Sequence, residues 1–293
     1  MSTLFKVSIF VFILCTIGCN NNTNPVEMSS ETEELQAPEI SRSLPNTHPR
    51  IFISRRWLNN VKEFGWFDNP PSFFTLYSDD CKNIGHGKYI WRHSSVNNTV
   101  YVRKNSSWHA RGGYVGGVLD MDAVRTTFRE NCYLISDLTR ELYHSNGFFS
   151  FERIYSLIGQ GFRRVDAVEH EGLAHLALIG TDGHLYQAIF DVIFLESLRK
   201  SDFPLNYKDV SINVDLNGEV KVYAIDSQGE LCWGDVHGMA PFPVTITNCR
   251  FVDVDRDGRI WIVKNTGSVY MWNSYSFVKV ASNLAWDISA DNN

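Results

Sequence analysis

The chain has 293 residues, a formal net charge of -6 and 44% hydrophobic content, enough for one large all-β domain or two small ones. The mild acidic balance gives no basic footprint for nucleic acid. No basic cluster beside an apolar segment suggests attraction to anionic lipid, and no segment calls for membrane insertion.

The first element in chain order is a processing signal. Lys6 is followed by an apolar run from Val7 to Ile17, then Gly18 and Cys19. The run is short for a bilayer span and fits the core of a signal peptide over residues 1–18, with Thr16 and Gly18 as small residues before a cut. A second reading stays open. Thr16-Ile17-Gly18-Cys19 is similar to a bacterial lipobox, in which Cys19 would be cleaved and lipidated, with Thr a poor match at the first position. Residues 19–45 are polar, with Pro25, Pro38 and Pro45 and five glutamates against the single Arg42. Such a stretch cannot bury apolar surface and reads as a flexible leader. The folded domain is expected over residues 46–293.

In an oxidising compartment the cysteines should pair. Cys232 and Cys249 fall in one repeat, on neighbouring strands, and form the first expected disulfide; Cys81 and Cys132 form the second. Cys19 is left for cleavage, lipidation or an interchain disulfide. Sequons at Asn21, Asn97 and Asn105 permit N-glycosylation in a eukaryotic host.

A repeat dominates the second half. Asp166 to Tyr186, Asn213 to Cys232 and Asp253 to Tyr270 align, each with an alternating strand, a Gly or Asn turn, a β-branched or aromatic strand, and a second Gly turn at Gly183, Gly229 or Gly267. A partial copy starts at Ala285-Trp286-Asp287-Ile288 and stops with the chain. Weaker copies lie upstream, at Gly87 to Tyr101 and Cys132 to Tyr143. Trp108, Phe151, Phe242 and Phe277 each open a candidate fourth strand. Four strands per unit favour a propeller. The expected fold is all-β: a six-bladed β-propeller with four-stranded blades. The last blade would join Leu284–Asn293 to the strands from Arg50 to Tyr77, closing the ring and hiding its edges.

Phe251-Val-Asp253-Val-Asp255-Arg-Asp257-Gly258-Arg-Ile-Trp261, with Gly267-Ser-Val-Tyr270 and Ala285-Trp-Asp-Ile288, resembles the tectonin (tachylectin-like) repeat. Trp108 to Asp122 is a fair second match. The resemblance is clearest over 162–293, less so over 80–160 and weak over 46–79. The chain departs from the family pattern where Tyr133, Leu176 and Val222 stand near the place of the second-strand Trp. The resemblance implies a lectin that binds sugars on microbial surfaces or egg coats, or a targeting module beside another subunit.

The candidate carbohydrate contacts are Trp272 with Asn273, Trp233 with Asp235, and Trp108 with Arg103: aromatics late in a strand that could stack on a sugar ring, beside a side chain for its hydroxyls. Trp91 and Trp261, inside second strands, read as packing between blades. Asp253, Asp255 and Asp257 look like the start of a calcium loop. The twelfth position is Lys264, however, and an Asp-Gly turn accounts for the pattern, so no metal is assigned. His170, His175 and His184 fit no zinc spacing. No nucleophile elbow, phosphate loop or His-Glu-x-x-His occurs, and no enzyme or cofactor is assigned. The sequence thus predicts a secreted glycan-binding lectin. The alternatives are a disulfide-linked subunit or protein-binding module of a larger complex, and a lipid-anchored bacterial surface protein.

Overall fold

The computed structural model describes residues 50–293 apart from 56–59, 66–71, 78–80, 88, 95, 106, 128, 147–149, 192–193, 283–284 and 291–293. The signal peptide, the polar leader, Cys15, Cys19 and Asn21 lie outside the described residues.

The chain is an all-β propeller. Five blades each contain four consecutive antiparallel strands, within residues 83–111, 118–153, 162–200, 209–241 and 249–281. They are numbered 1 to 5 below. A further four-stranded sheet is composite: its innermost strand is Asp287–Ala290, followed outward by Ile51–Arg55, Asn60–Gly65 and Ser72–Tyr77. Ile51 stands opposite Ala290 and Ile53 opposite Ile288, so the end of the chain is stitched to the first described strand.

The alternating pattern of the repeat explains the sheets. The innermost strands Asn83–His86, Val118–Arg125, Phe162–His170, Asp209–Val214, Cys249–Val254 and Asp287–Ala290 are mostly buried. The outer strands carry exposed positions, as in Phe194–Lys200. The turn glycines do what the repeat requires: Gly183, Gly229 and Gly267 have φ of 82, 85 and 78°.

Apolar side chains collect between successive sheets rather than within them. One cluster joins blades 1 and 2 through Trp91, Val102, Met121 and Leu134. Others join blades 2 and 3 through Tyr133 and Phe190, blades 3 and 4 through Ile179 and Val222, and blades 4 and 5 through Phe242 and Trp272. Trp261 and Val263 of blade 5 meet Ile51 and Ile53 of the composite sheet, and Phe52 of that sheet meets Ile84 of blade 1. Each fully buried side chain of this size contributes roughly 1.5–3 kcal/mol. The inter-sheet layers are therefore the core of the molecule.

This layering corrects the expected disulfides. Cys132, Cys232 and Cys249 are free thiols, so neither Cys232–Cys249 nor Cys81–Cys132 forms. Cys232 packs in the layer between blades 3 and 4, and Cys249 in the layer between blades 4 and 5. Cys81 and Cys132 are likewise separated, between the composite sheet and blade 1 and between blades 1 and 2.

Strand alternation defines two faces. One carries the turns between second and third strands and the connections between blades. The opposite face carries the first-to-second and third-to-fourth turns.

Candidate functional site

Each innermost strand turns two positions to the axis, two residues apart, and the six strands set them in two tiers. The upper tier is Asn83, Asp120, Arg164, Asp209, Phe251 and Asp287. The lower tier is Gly85, Asp122, Asp166, Ser211, Asp253 and Ser289. The register comes from bonds that cross from one blade to the next. Asp120 and Asp122 accept the backbone N–H groups of Val165 and Ala167 at 2.8 and 3.0 Å. Asp166 accepts that of Ile212 at 2.7 Å, Asp209 that of Val252 at 2.8 Å, and Ser211 that of Val254 at 3.1 Å. Asp253 accepts the N–H of Ala290, Asp287 that of Ile84, and Asn83 donates to the carbonyl of Leu119. The stitching thus runs through all six sheets. Gly85 has no side chain because a Cβ there would lie 3.0 Å from the Cα of Asp122.

The two tiers differ electrostatically. In the upper tier the Arg164 guanidinium lies 3.1 Å from Asp209 and 3.8 Å from Asp120, with Phe251 5.4 Å from its centre. Desolvation works against the Arg164 charge, but Asp120, Asp209 and Asp287 raise its pKa overall. Desolvation also pushes Asp120 up to about 6, Asp287 to about 7, and Asp209 well above the usual carboxylate range. The lower tier has no cation. Burial, then mutual repulsion, holds Asp122 and Asp253 well above the ordinary value, and burial raises Asp166 as well. The axial cavity they line has a volume of about 20 Å³. Its carboxyls act as a structural clasp.

A larger opening lies between blades 4 and 5, on the face of the first-to-second turns. It has a volume of about 30 Å³ and is lined by Asn213, Asp215, Leu216, Lys221, Tyr223, Arg256 and Asp257 among others. Leu216 is 62% exposed, an apolar surface beside hydrogen-bonding groups.

The structure places the expected sugar contacts in different surroundings. Trp272 is 1% exposed, so it cannot stack on a ligand; it packs edge-on to Phe242, with ring centroids 5.3 Å apart. Trp233 is half-buried against the same Phe242 at 6.3 Å. Asn273 and Asp235 are exposed, but each closes its own turn. Asn273 accepts the N–H groups of Tyr275 and Ser276, and Asp235 those of His237 and Gly238. Trp108 stands opposite Arg103 across its hairpin, while the guanidinium over its ring, at 4.4 Å, belongs to Arg92. Trp91 and Trp261 are fully buried, and their indole N–H groups donate to Glu130 and Asp255.

The calcium-loop pattern also dissolves into turn chemistry. Asp255 accepts the N–H groups of Asp257 and Arg259, and Arg259 bonds Asp257 at 2.8 Å, while Asp253 belongs to the axis. Among the described residues no group of three or more His, Cys, Asp or Glu is arranged to hold a metal ion. His170 and His175 touch ring to ring at 5.4 Å, and His184 bonds the carbonyl of Ser201. Among the described residues no helix is long and apolar enough to cross a membrane.

Sequence reading missed the clasp and the Leu216 opening. The signal for the clasp was the Asp carried on an innermost strand in successive units: Asp120, Asp166, Asp209, Asp253 and Asp287.

Strands and axis together define a β-propeller held by an acidic clasp. No protein-family model matches the chain, and no curated protein matches it. Solved structures similar to it include a selenomethionine-substituted virginiamycin B lyase from Staphylococcus aureus, at 8% identity and a TM-score of 0.47 over 68% of this chain and 69% of that one. Another is YCF48 bound to D1 peptide, at 12% identity and a TM-score of 0.44 over 87% of this chain and 88% of that one.

Proposed function

We propose that the chain is a secreted carbohydrate-binding propeller, a lectin for surface glycans of the innate-defence or egg- and surface-coat kind. In this reading the composite sheet is the sixth blade of a closed wheel of tectonin type. The supporting observation is the opening between blades 4 and 5. It sets the charged and amide groups of Asn213, Asp215, Lys221 and Asp257 beside the exposed Leu216. A saccharide offers hydroxyls and an apolar ring face, and a few convergent polar groups beside an apolar surface suit it. A glycan array with the purified protein and a Lys221→Ala, Asp257→Ala double variant tests it. Binding by the wild type that the variant loses supports the reading. Silence of the folded wild type on every glycan overturns it.

A second reading, a protein-binding module or subunit, is favoured by Val115, Leu138, Ile158, Phe203 and Leu205, large apolar residues exposed on the face of the inter-blade connections. A covalent link or lipid anchor in either reading would fall to Cys19. Mass spectrometry of the mature N-terminus and electrophoresis with and without thiol separate a lipidated, a bridged and a cleaved form.

A further inference from the structure

On the face of the inter-blade connections, the mouth of the axis is ringed by cations. The residues that lead into the innermost strands include Lys82, Arg163, Lys208 and Arg250. They form a collar of two arcs, one from Arg163 to Lys208 and one from Arg250 to Lys82. Arg163 donates to the carbonyl of Tyr207 at 2.8 Å, and Arg164 to that of Lys208 at 3.2 Å. The guanidinium of Arg250 lies 4.8 Å from the Phe251 ring centre and 3.7 Å from that of Trp286. The Trp286 N–H donates to the carbonyl of Ser54, whose hydroxyl donates to the carbonyl of Lys82, and the Lys82 ammonium reaches the Val118 carbonyl at 3.3 Å.

Lys208 is exposed, and Lys82, Arg163, Arg250 and Trp286 are partly so. Carboxyls lie close to these cations, with Asp182 acting on the Arg163 charge and Asp120, Asp209 and Asp287 below. Asp120, Asp209 and Asp287 each accept a backbone N–H from the neighbouring sheet, and Arg164 lies among them. A chain with a net charge of -6 thus brings four cations to one mouth, with the Trp286 ring against one of them.

We propose that this mouth binds an anionic saccharide, a sulfated or carboxylated polysaccharide chain. The inference rests on the carbohydrate-binding reading above but places the ligand on the other face and gives it a charge. A saccharide fits better than a peptide strand here. The innermost strands are already paired on one side and stitched by side chains on the other, so they offer no backbone edge for a peptide to extend. Point charges around an aromatic face are what a charged sugar needs.

The test is fluorescence anisotropy with labelled dextran sulfate, polygalacturonate, neutral dextran and poly-L-glutamate, at low and at physiological salt. The expected result is binding to dextran sulfate or polygalacturonate, whichever supplies the anion, and none to neutral dextran. Affinity should weaken as salt rises, because the screening length falls to about 8 Å at 0.15 M. Lys208→Gln with Arg250→Gln should weaken binding about tenfold. Lys208→Gln alone, at an exposed position, should give part of that loss with an unchanged melting temperature. No binding to either acidic polysaccharide at low salt, unchanged affinity in both variants, or tighter binding to poly-L-glutamate would overturn the proposal. The first reading fails separately: it requires the glycan-array signal to vanish with Lys221 and Asp257, and the collar variants should leave that signal intact.

Discussion

The backbone N–H of Ile84 donates to the carboxylate of Asp287 at 3.2 Å, joining residues 203 apart in the chain. With Asp253 bonded to the N–H of Ala290, it holds the composite sheet between blades 5 and 1. Asp287→Ala leaves the Ile84 N–H without its acceptor and should cost about 1–3 kcal/mol, read as a lower urea midpoint at unchanged slope. Asp287→Asn keeps an acceptor oxygen and should lose less. Equal midpoints for wild type and Asp287→Ala would show that the seam does not depend on this bond.

The axial carboxyls predict an unusual pH dependence. Their folded pKa values lie above those of the unfolded chain, so their contribution is complete at acid pH and is lost as pH rises through the folded values. Those are about 6 for Asp120 and about 7 for Asp287, with Asp122, Asp209 and Asp253 well above the ordinary value. The histidines act the opposite way. Burial lowers His86 to about 3 and His144 and His175 to about 4, so their contribution is present above the unfolded value and lost as pH falls from about 6.5. Above pH 6.5 the carboxyls, joined at the alkaline end by the buried thiols, all act in the same direction. The melting temperature should fall from pH 6.5 to 8.5, and Asp122→Asn should flatten that slope. A melting temperature that rises over this window would contradict the clasp electrostatics.

The thiols should be inert in the native state. Burial raises Cys132 well above the usual thiol range, Cys232 to about 11 and Cys249 to about 12. Little thiolate forms at neutral pH, and the thiolate is what reacts. Iodoacetamide followed by peptide mass spectrometry should modify these three only after denaturation. Cys232→Ser should not show the 2–5 kcal/mol loss that follows removal of a native disulfide.

Trp272 and Asn273, neighbours in sequence, should behave as opposites. Trp272 is fully buried between blades 4 and 5, so Trp272→Ala should cost about 3–5 kcal/mol through the cavity it leaves. Asn273→Ala should cost only the fraction of a kilocalorie expected of a lost exposed turn bond, within ~0.5 kcal/mol. Denaturant melts of the two variants give the contrast directly. A neutral Trp272→Ala would return that ring to the surface.

The sheets were legible because their signals are local. A strand, a Gly turn such as Gly229 or Gly267, and another strand can be recognised within a dozen residues. The pairing of Ile51 with Ala290 followed from an unfinished repeat that needed a partner. What failed depended on neighbours in the next repeat. Trp272 reads as a rim residue until Phe242, thirty positions earlier, is seen to cover it. Cys232 and Cys249 share a unit in the sequence, yet the core lies between units, and the two thiols point into different layers. The glycines and the axial aspartates were both visible, but only the glycines carried a local rule that revealed their purpose. Arg164 follows no repeat; its role exists only where alternate sheets bring Asp120, Asp209 and Asp287 around one point.

Because Ile51 faces Ala290 across a single pair of strands, the point at which the chain enters the sheets is arbitrary to the fold. A short linker joining those two positions, with new ends opened in the exposed turn at Asn273 to Ser276, would leave every sheet its four strands and every carboxyl its neighbour. A circularly rearranged gene of that kind should yield the same molecule, with its seam moved into blade 5.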